Sequence, residues 1–185
     1  SKLRDLDFVP FKAGIDAGAE FVMVSHISVS RVTETKEPAS MSELIMKTIL
    51  REELGFSGIV ITDAFDMASI TDDYTPGEAA LQSFMAGADI ILMPNDLTQA
   101  YQAILNAVNS KKITQSRLDE SVIRILTTKF KHGILTQEDL TAWEQPTATP
   151  SVTPAVTASP KAKKGKKNRE SAKTIKKSTK NKSKK

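Results

Sequence analysis

One carboxylate in this sequence stands where parallel α/β folds do their chemistry. Asp63 closes the run Gly58-Ile-Val-Ile-Thr-Asp63, a short apolar strand signal with a polar end. In such folds the carboxyl ends of the strands face the ligand crevice, so a carboxylate there can attack an electrophilic carbon or hold a cation. An Asp at that place can equally cap the helix that follows, and position alone does not separate the two roles. Asp66 lies three residues further on, past the strand end, where a carboxylate is either an alternative nucleophile or simply solvated. His26 follows the apolar run Phe21-Val-Met-Val24 and should point toward the same crevice. It either lines a pocket or is a hydrogen-bonded strand-end histidine. Asp72 and Asp73 read as loop residues with no metal-ligating partner at useful spacing. His132, before Gly133, suits a helix C-terminus, where a charged imidazole favours the dipole. Arg51 reads as a helix-end arginine pairing with Glu52 or with chain carbonyls.

The elements that must position these groups alternate between helix and strand signals. Phe8, Phe11 and Ile15 recur at helical spacing before Gly18, and Phe21–Val24 is then a strand buried on both faces. Ser40 and Glu43 spell an S-x-x-E capping box for a helix that presents Leu44, Ile45 and Ile49 and stops at Gly55. The second strand, ending in Asp63, follows. Thr75, Pro76 and Glu78 open another helix, which Gly87 ends, and Asp89–Met93 is the third strand. Asp96 starts a further helix, and Ser116 with Asp119 starts the last, ending at His132-Gly133.

Gly18, Gly55 and Gly87 recur at similar spacing, and Ala17-Gly-Ala-Glu20 before the first strand echoes Ala86-Gly-Ala-Asp89 before the third. Such repetition is what αβ units with parallel strands produce. Three strands cannot close a barrel, because a (β/α)8 barrel needs about 250 residues. The body is therefore a small open α/β sheet or the C-terminal portion of a (β/α)8 TIM-type barrel.

The stretch Leu50-Arg-Glu-Glu-Leu-Gly-Phe-Ser-Gly-Ile-Val-Ile-Thr-Asp-Ala-Phe-Asp-Met67 resembles the nucleophile segment of glycoside hydrolase family 3, in its bacterial β-N-acetylglucosaminidase branch. In that family Leu-Arg-x-x-Leu-Gly-Phe-x-Gly leads into a strand ending in Ser/Thr-Asp, with Met shortly after. Ala17–Ile27, Pro38-Ala-Ser-Met-Ser42 and Ala86–Pro94 fit the same pattern, and the similarity runs from about Leu6 to about Leu135. Related β-glucosidases usually carry Tyr-Asn where this chain has His26-Ile27.

The resemblance implies the barrel alternative, with about three parallel strands and their helices. It implies retaining hydrolysis of terminal β-linked N-acetylglucosamine, with Asp63 as nucleophile and no metal or other cofactor. His26 and Met67 become candidate contacts to the sugar. The runner-up specificity is β-glucosidase-like. In this branch the acid/base work resembles a His–Asp dyad near a Lys-His-Phe-Pro-Gly-type segment that precedes the region matching Leu6, and neither appears here. Ser1–Lys185 is thus expected to be a fragment with negligible turnover alone.

Charge divides the chain at residue 146. Residues 146–185 hold thirteen bases and one acid, a net of +12, and residues 1–145 hold thirteen bases against twenty-one acids, a net of −8. An acidic body with a basic tail argues against a globular nucleic-acid-binding domain. The tail combines a Pro/Thr/Ser linker with the lysine-rich tract Lys161–Lys185, has no aromatic residue, and is expected to be disordered. It could solubilise the chain or contact anionic polymers, and a polyanion-binding protein acting through this tail is the alternative from outside the enzymes. The absence of cysteine excludes disulfides and thiol catalysis but leaves the compartment, cytoplasm or cell envelope, open. No apolar run approaches the ~20 residues that span a bilayer.

Overall fold

The computed structural model describes residues 2–144. The basic tail, including Lys161–Lys185, lies outside the described residues, and with it the expectations placed there. A π-wound turn over Leu3–Asp7 leads into α1 (Val9–Asp16), β1 (Phe21–Val24), α2 (Ser30–Thr33), a 3-10 turn at Ala39–Met41 and a π-wound helix over Leu44–Glu53. Then follow β2 (Ile59–Ala64), α3 (Ala68–Thr71), α4 (Pro76–Ala86), β3 (Ile90–Leu92), α5 (Leu97–Asn109), α6 (Gln115–Lys131) and α7 (Gln137–Glu144). The strands form one parallel sheet in the order β1-β2-β3, with Phe21 opposite Ile59 and Ile61 opposite Ile90. Parallel neighbours in sequence order are what right-handed αβ units produce. No helix among the described residues is long and apolar enough to cross a membrane.

One face of the sheet is covered by helices. Val24, Val60, Met46, Leu50, Ala86 and Ala88 make its main core. The backbone of Gly87 has φ +127°, and a Cβ there would come within 3.3 Å of the Met46 Cβ, so the glycine both ends α4 and admits the neighbouring helix. That close approach buries Met46, Ile49 and Leu50, while Leu44 is exposed, so the buried stripe is displaced from the Leu44-Ile45-Ile49 face expected from spacing. The opposite face of the sheet is open along β1. Phe21 and Met23 are 50% and 54% exposed, so β1 is not buried on both faces; it is an edge strand of the described sheet with the face away from the helices uncovered. Phe11 of α1 is exposed beside that edge.

Two of the expected caps are present. Thr75 and Glu78 make a reciprocal capping box on α4, and Asp96 accepts from the Gln99 amide at 2.9 Å, which holds its carboxyl below the usual range. Two are not. Ser40 is fully buried in the 3-10 turn and its hydroxyl bonds to His26, so the helix that follows begins after Glu43 with no side-chain cap. Helix α6 is capped by Thr114, which accepts from the Arg117 amide, not by Ser116. The short helices α2 and α3, and α7 with its Thr136–Asp139 box, lack the long periodic stripe that announces a helix in sequence.

Helix α6 passes along the N-terminal ends of the strands. Arg117 donates from Nη2 to the carbonyls of Phe84 (2.9 Å) and Ala88 (2.7 Å) and lies over the Phe84 ring. Arg124 Nη1 reaches Asp89 Oδ1 at 3.0 Å, at the foot of β3. At the far end Lys131 pairs with Glu20, and His132 Nε2 lies 2.5 Å from Glu20 Oε2, at the foot of β1. Asp89, its side chain fully buried, also accepts from Arg51 Nη2 (2.7 Å), the Val60 amide (2.9 Å) and Ser121 Oγ (2.5 Å). Arg51 therefore pairs with Asp89 rather than Glu52, while its Nη1 holds the carbonyls of Phe56 and Gly58 as the sequence suggested. Burial pulls the Arg51 and Arg117 guanidiniums below their ordinary value, and the Asp89 carboxylate opposes that pull.

The Glu20 contact is titratable. Lys131 and then His132 hold the Glu20 carboxyl below the usual carboxylate range. A depressed folded value contributes stability above the unfolded value, and that contribution is lost as pH falls through the folded one. The protection factors of the amides in the last turn of α6 should therefore fall as pH drops below the ordinary glutamate value of about 4.3. Glu20→Gln should remove that pH dependence, and persistence of the dependence in the variant would assign it elsewhere.

Candidate active site

Asp63 is the last residue but one of the central strand, half-buried at its C-terminal end. The ladder is irregular there: β2 advances three residues, from Ile61 to Ala64, while β3 advances two, from Ile90 to Leu92. Such a bulge re-aims the side chains beside it. The hydroxyl of Thr62, fully buried, accepts from the Leu92 amide at 3.0 Å and so supplies a partner to a donor in the disrupted stretch. Thr62→Val keeps the shape but leaves that amide unpaired, and should cost about 1–3 kcal/mol in denaturant unfolding. An unchanged midpoint would show that the hydroxyl is dispensable.

The Asp63 carboxylate is held at one oxygen. Its Oδ1 accepts from the Ala64 amide at 2.8 Å, and no hydrogen bond among the described residues reaches Oδ2. The chain then turns tightly, with the Met67 amide bonding to the Ala64 carbonyl at 3.3 Å and Phe65 buried beneath. Asp66 is exposed in that turn, away from the strand, and Met67 is 44% exposed on the rim. His26 is 8% exposed with both ring nitrogens engaged, Nδ1 by Ser40 Oγ at 2.8 Å and Nε2 by the Ala64 carbonyl at 3.0 Å. Met93, directly after β3, takes φ +44° and is 56% exposed. A methionine there is strained, and strained residues gather at ligand sites. A cavity of about 410 Å³ opens beside Phe65, Asp73, Tyr74 and Asn95, but Asp63 is not on its lining.

Residues 1–128 match the family model described as glycosyl hydrolase family 3 N terminal domain. The chain belongs to glycoside hydrolase family 3. This family 3 chain is 35% identical over 150 residues to beta-hexosaminidase A of Pseudoalteromonas piscicida, covering 70% of itself and 25% of that protein. It is 30% identical over 135 residues to a beta-N-acetylglucosaminidase/beta-glucosidase of Cellulomonas fimi, covering 68% and 24%. Among solved structures it superposes on a family 3 beta-N-acetylglucosaminidase from Paenibacillus sp. str. FPU-7 with a TM-score of 0.69 and 35% identity, over 75% of this chain and 28% of that one. The chain thus spans about a quarter of the length of these relatives. Its three parallel strands are a sector of the family's TIM-type barrel.

Thr62, Ser40 and Asp89 are the residues whose roles sequence reasoning missed. Thr62 had a signal, since a hydroxyl directly before a strand-end carboxylate lies on the opposite face, toward the helices. Ser40 stands in the sequence as a polar residue between two apolar ones, in a pattern that spells a helix cap. Asp89 was visible as the acid preceding the third strand, in the position that Glu20 takes before the first.

Proposed function

We propose that this chain supplies the nucleophile-bearing sector of a family 3 glycosidase that releases terminal β-linked N-acetylglucosamine with retention. The observation that carries the reading is Asp63 at the carboxyl end of the central strand, with Oδ1 tied to the Ala64 amide and Oδ2 free of partners among the described residues. The names of the relatives support the substrate class.

In the proposed reaction Oδ2 attacks the anomeric carbon and the glycosidic C–O bond breaks. A proton donor from elsewhere in the barrel protonates the leaving oxygen. Water then attacks the anomeric carbon, passing its proton to the group that acted as donor; the C–O bond to Asp63 breaks, the carboxylate is restored, and the second inversion gives net retention. The Ala64 N–H stays on Oδ1 throughout and fixes the carboxylate while its charge is spent and recovered. Met67, at the rim, is the proposed sugar contact, and the lysine-rich tract adds salt-steep contact with anionic polymers.

A slow fluorinated β-N-acetylglucosaminyl substrate tests this in the complete barrel, by mass spectrometry of the trapped peptide. The label should sit on Asp63; a label on Asp66, or none during turnover, would overturn the assignment. Preference for aryl glucoside over aryl N-acetylglucosaminide would replace the substrate class and leave the nucleophile in place.

A further inference from the structure

Ala64 is pinned at both of its peptide groups. Its N–H donates to Asp63 Oδ1 at 2.8 Å, and its carbonyl accepts from His26 Nε2 at 3.0 Å and, over a longer 3.3 Å, from the Met67 amide. A carbonyl oxygen can only accept, so Nε2 carries a proton, and in the neutral ring Nδ1 is left to accept from Ser40 Oγ at 2.8 Å. The Ser40 carbonyl is in turn held by Ser83 Oγ of α4 at 2.6 Å. Ser83, Ser40 and His26 are all buried, and the edge of the imidazole packs on Phe65 with ring centroids 5.2 Å apart. A line of buried hydrogen bonds therefore runs from a helix on the covered face to the peptide beside Asp63.

We infer that His26 is the positioning residue of this site: by holding the Ala64 carbonyl in a fixed tautomer it aims the Ala64 amide at Asp63 Oδ1, so that Oδ2 is the oxygen presented to the crevice. The inference rests on the reading of Asp63 as nucleophile. It gives the imidazole a role without contact to sugar, since both of its nitrogens face protein. An imidazole suits the place because it offers one donor and one acceptor in a rigid ring, which matches a carbonyl on one side and a hydroxyl on the other. Holding a reacting atom within a fraction of an ångström of its productive place is what such supporting contacts do.

The test is a double-mutant cycle in the full 185-residue chain, read by NMR at the Ala64 amide. Asp63→Ala alone should speed Ala64 amide exchange about tenfold or more, the loss of one charge-assisted hydrogen bond. In a His26→Phe background the same substitution should have no further effect, because the amide has already left the carboxylate. His26→Gln, with a donor that reaches the Ala64 carbonyl, should restore the coupling. The ring nitrogen signals of His26 should show the Nε2–H tautomer, and Ser40→Ala should mix the tautomers.

Full coupling in His26→Phe, with the Met46 and Ala80 amides still protected, overturns the inference, as does an Nδ1–H tautomer. If His26→Phe loses that core protection, Ser40→Ala decides: faster Ala64 exchange supports the inference and unchanged exchange overturns it. Coupling that persists while the fluorinated trap labels another residue would retire Asp63 as nucleophile and leave the positioning intact, so the two readings fail separately.

Discussion

Asp63→Asn in the complete enzyme is expected to lower turnover of an aryl β-N-acetylglucosaminide on the order of 10⁴-fold, the scale seen when a group acting in the transition state is removed. The substitution is nearly isosteric. The introduced carboxamide can keep its oxygen on the Ala64 amide, so the turn through Met67 and the contact of His26 with the Ala64 carbonyl should survive. What disappears is the charged oxygen, free of partners among the described residues, that would form the ester in the proposed reaction. The checks are kcat/KM alongside a thermal melt, and turnover within a few-fold of the parent, with the melt unchanged, would remove Asp63 from the role. Asp66→Asn is the matched control: Asp66 is exposed in the turn beyond the strand, and its loss should leave turnover unaltered.

Asp89→Leu should destabilise the body by about 3–5 kcal/mol. The Asp89 side chain is wholly buried and is approached by Arg51, Arg117 and Arg124, whose side chains are 16%, 15% and 25% exposed. Removing the carboxylate leaves these cations facing one another and strips the Val60 amide and Ser121 hydroxyl of their acceptor. For a domain of this size that loss corresponds to a fall in Tm of about 10 °C. A shift of only one or two degrees would mean that water and the neighbouring carbonyls absorb the cations, and would overturn the view of Asp89 as the hub beneath the sheet.

Much of the frame was legible because it rests on local rules. The helix-stop glycines Gly18, Gly55 and Gly87 all have positive φ, and the Thr75 and Asp96 caps are where short-range hydrogen bonding demands them. The strand that carries Asp63 could be placed within a residue from its β-branched run. Less legible was everything decided by what lies opposite in space. Ser40 is spelled like a cap and spends its hydroxyl on a histidine fourteen positions earlier in the sequence. The bulge at Thr62-Asp63 depends on its pairing with β3, which no single strand reveals. The uncovered side of β1 depends on its being an edge, whereas its apolar composition reads as burial. The likeness of Glu20 and Asp89 was visible as a repeat, but its meaning required α6, since both acids receive cations from that one helix.

The reach of α6 also sets an order of events during synthesis. Glu20 at the foot of β1 is held by His132, 112 residues later in the chain. At the ribosome's pace that separation is on the order of 10 s, during which all three strands have emerged without the helix whose cations hold the acids at the feet of β1 and β3. Contacts so distant in sequence are slow to close. A chain cut short on the ribosome before Arg117 would carry Asp63 on a sheet with Asp89 still missing two of its three arginines. Completion of α6 is therefore the step that separates a nascent polypeptide from a braced sector, and quality control would find its substrates among chains halted before that point.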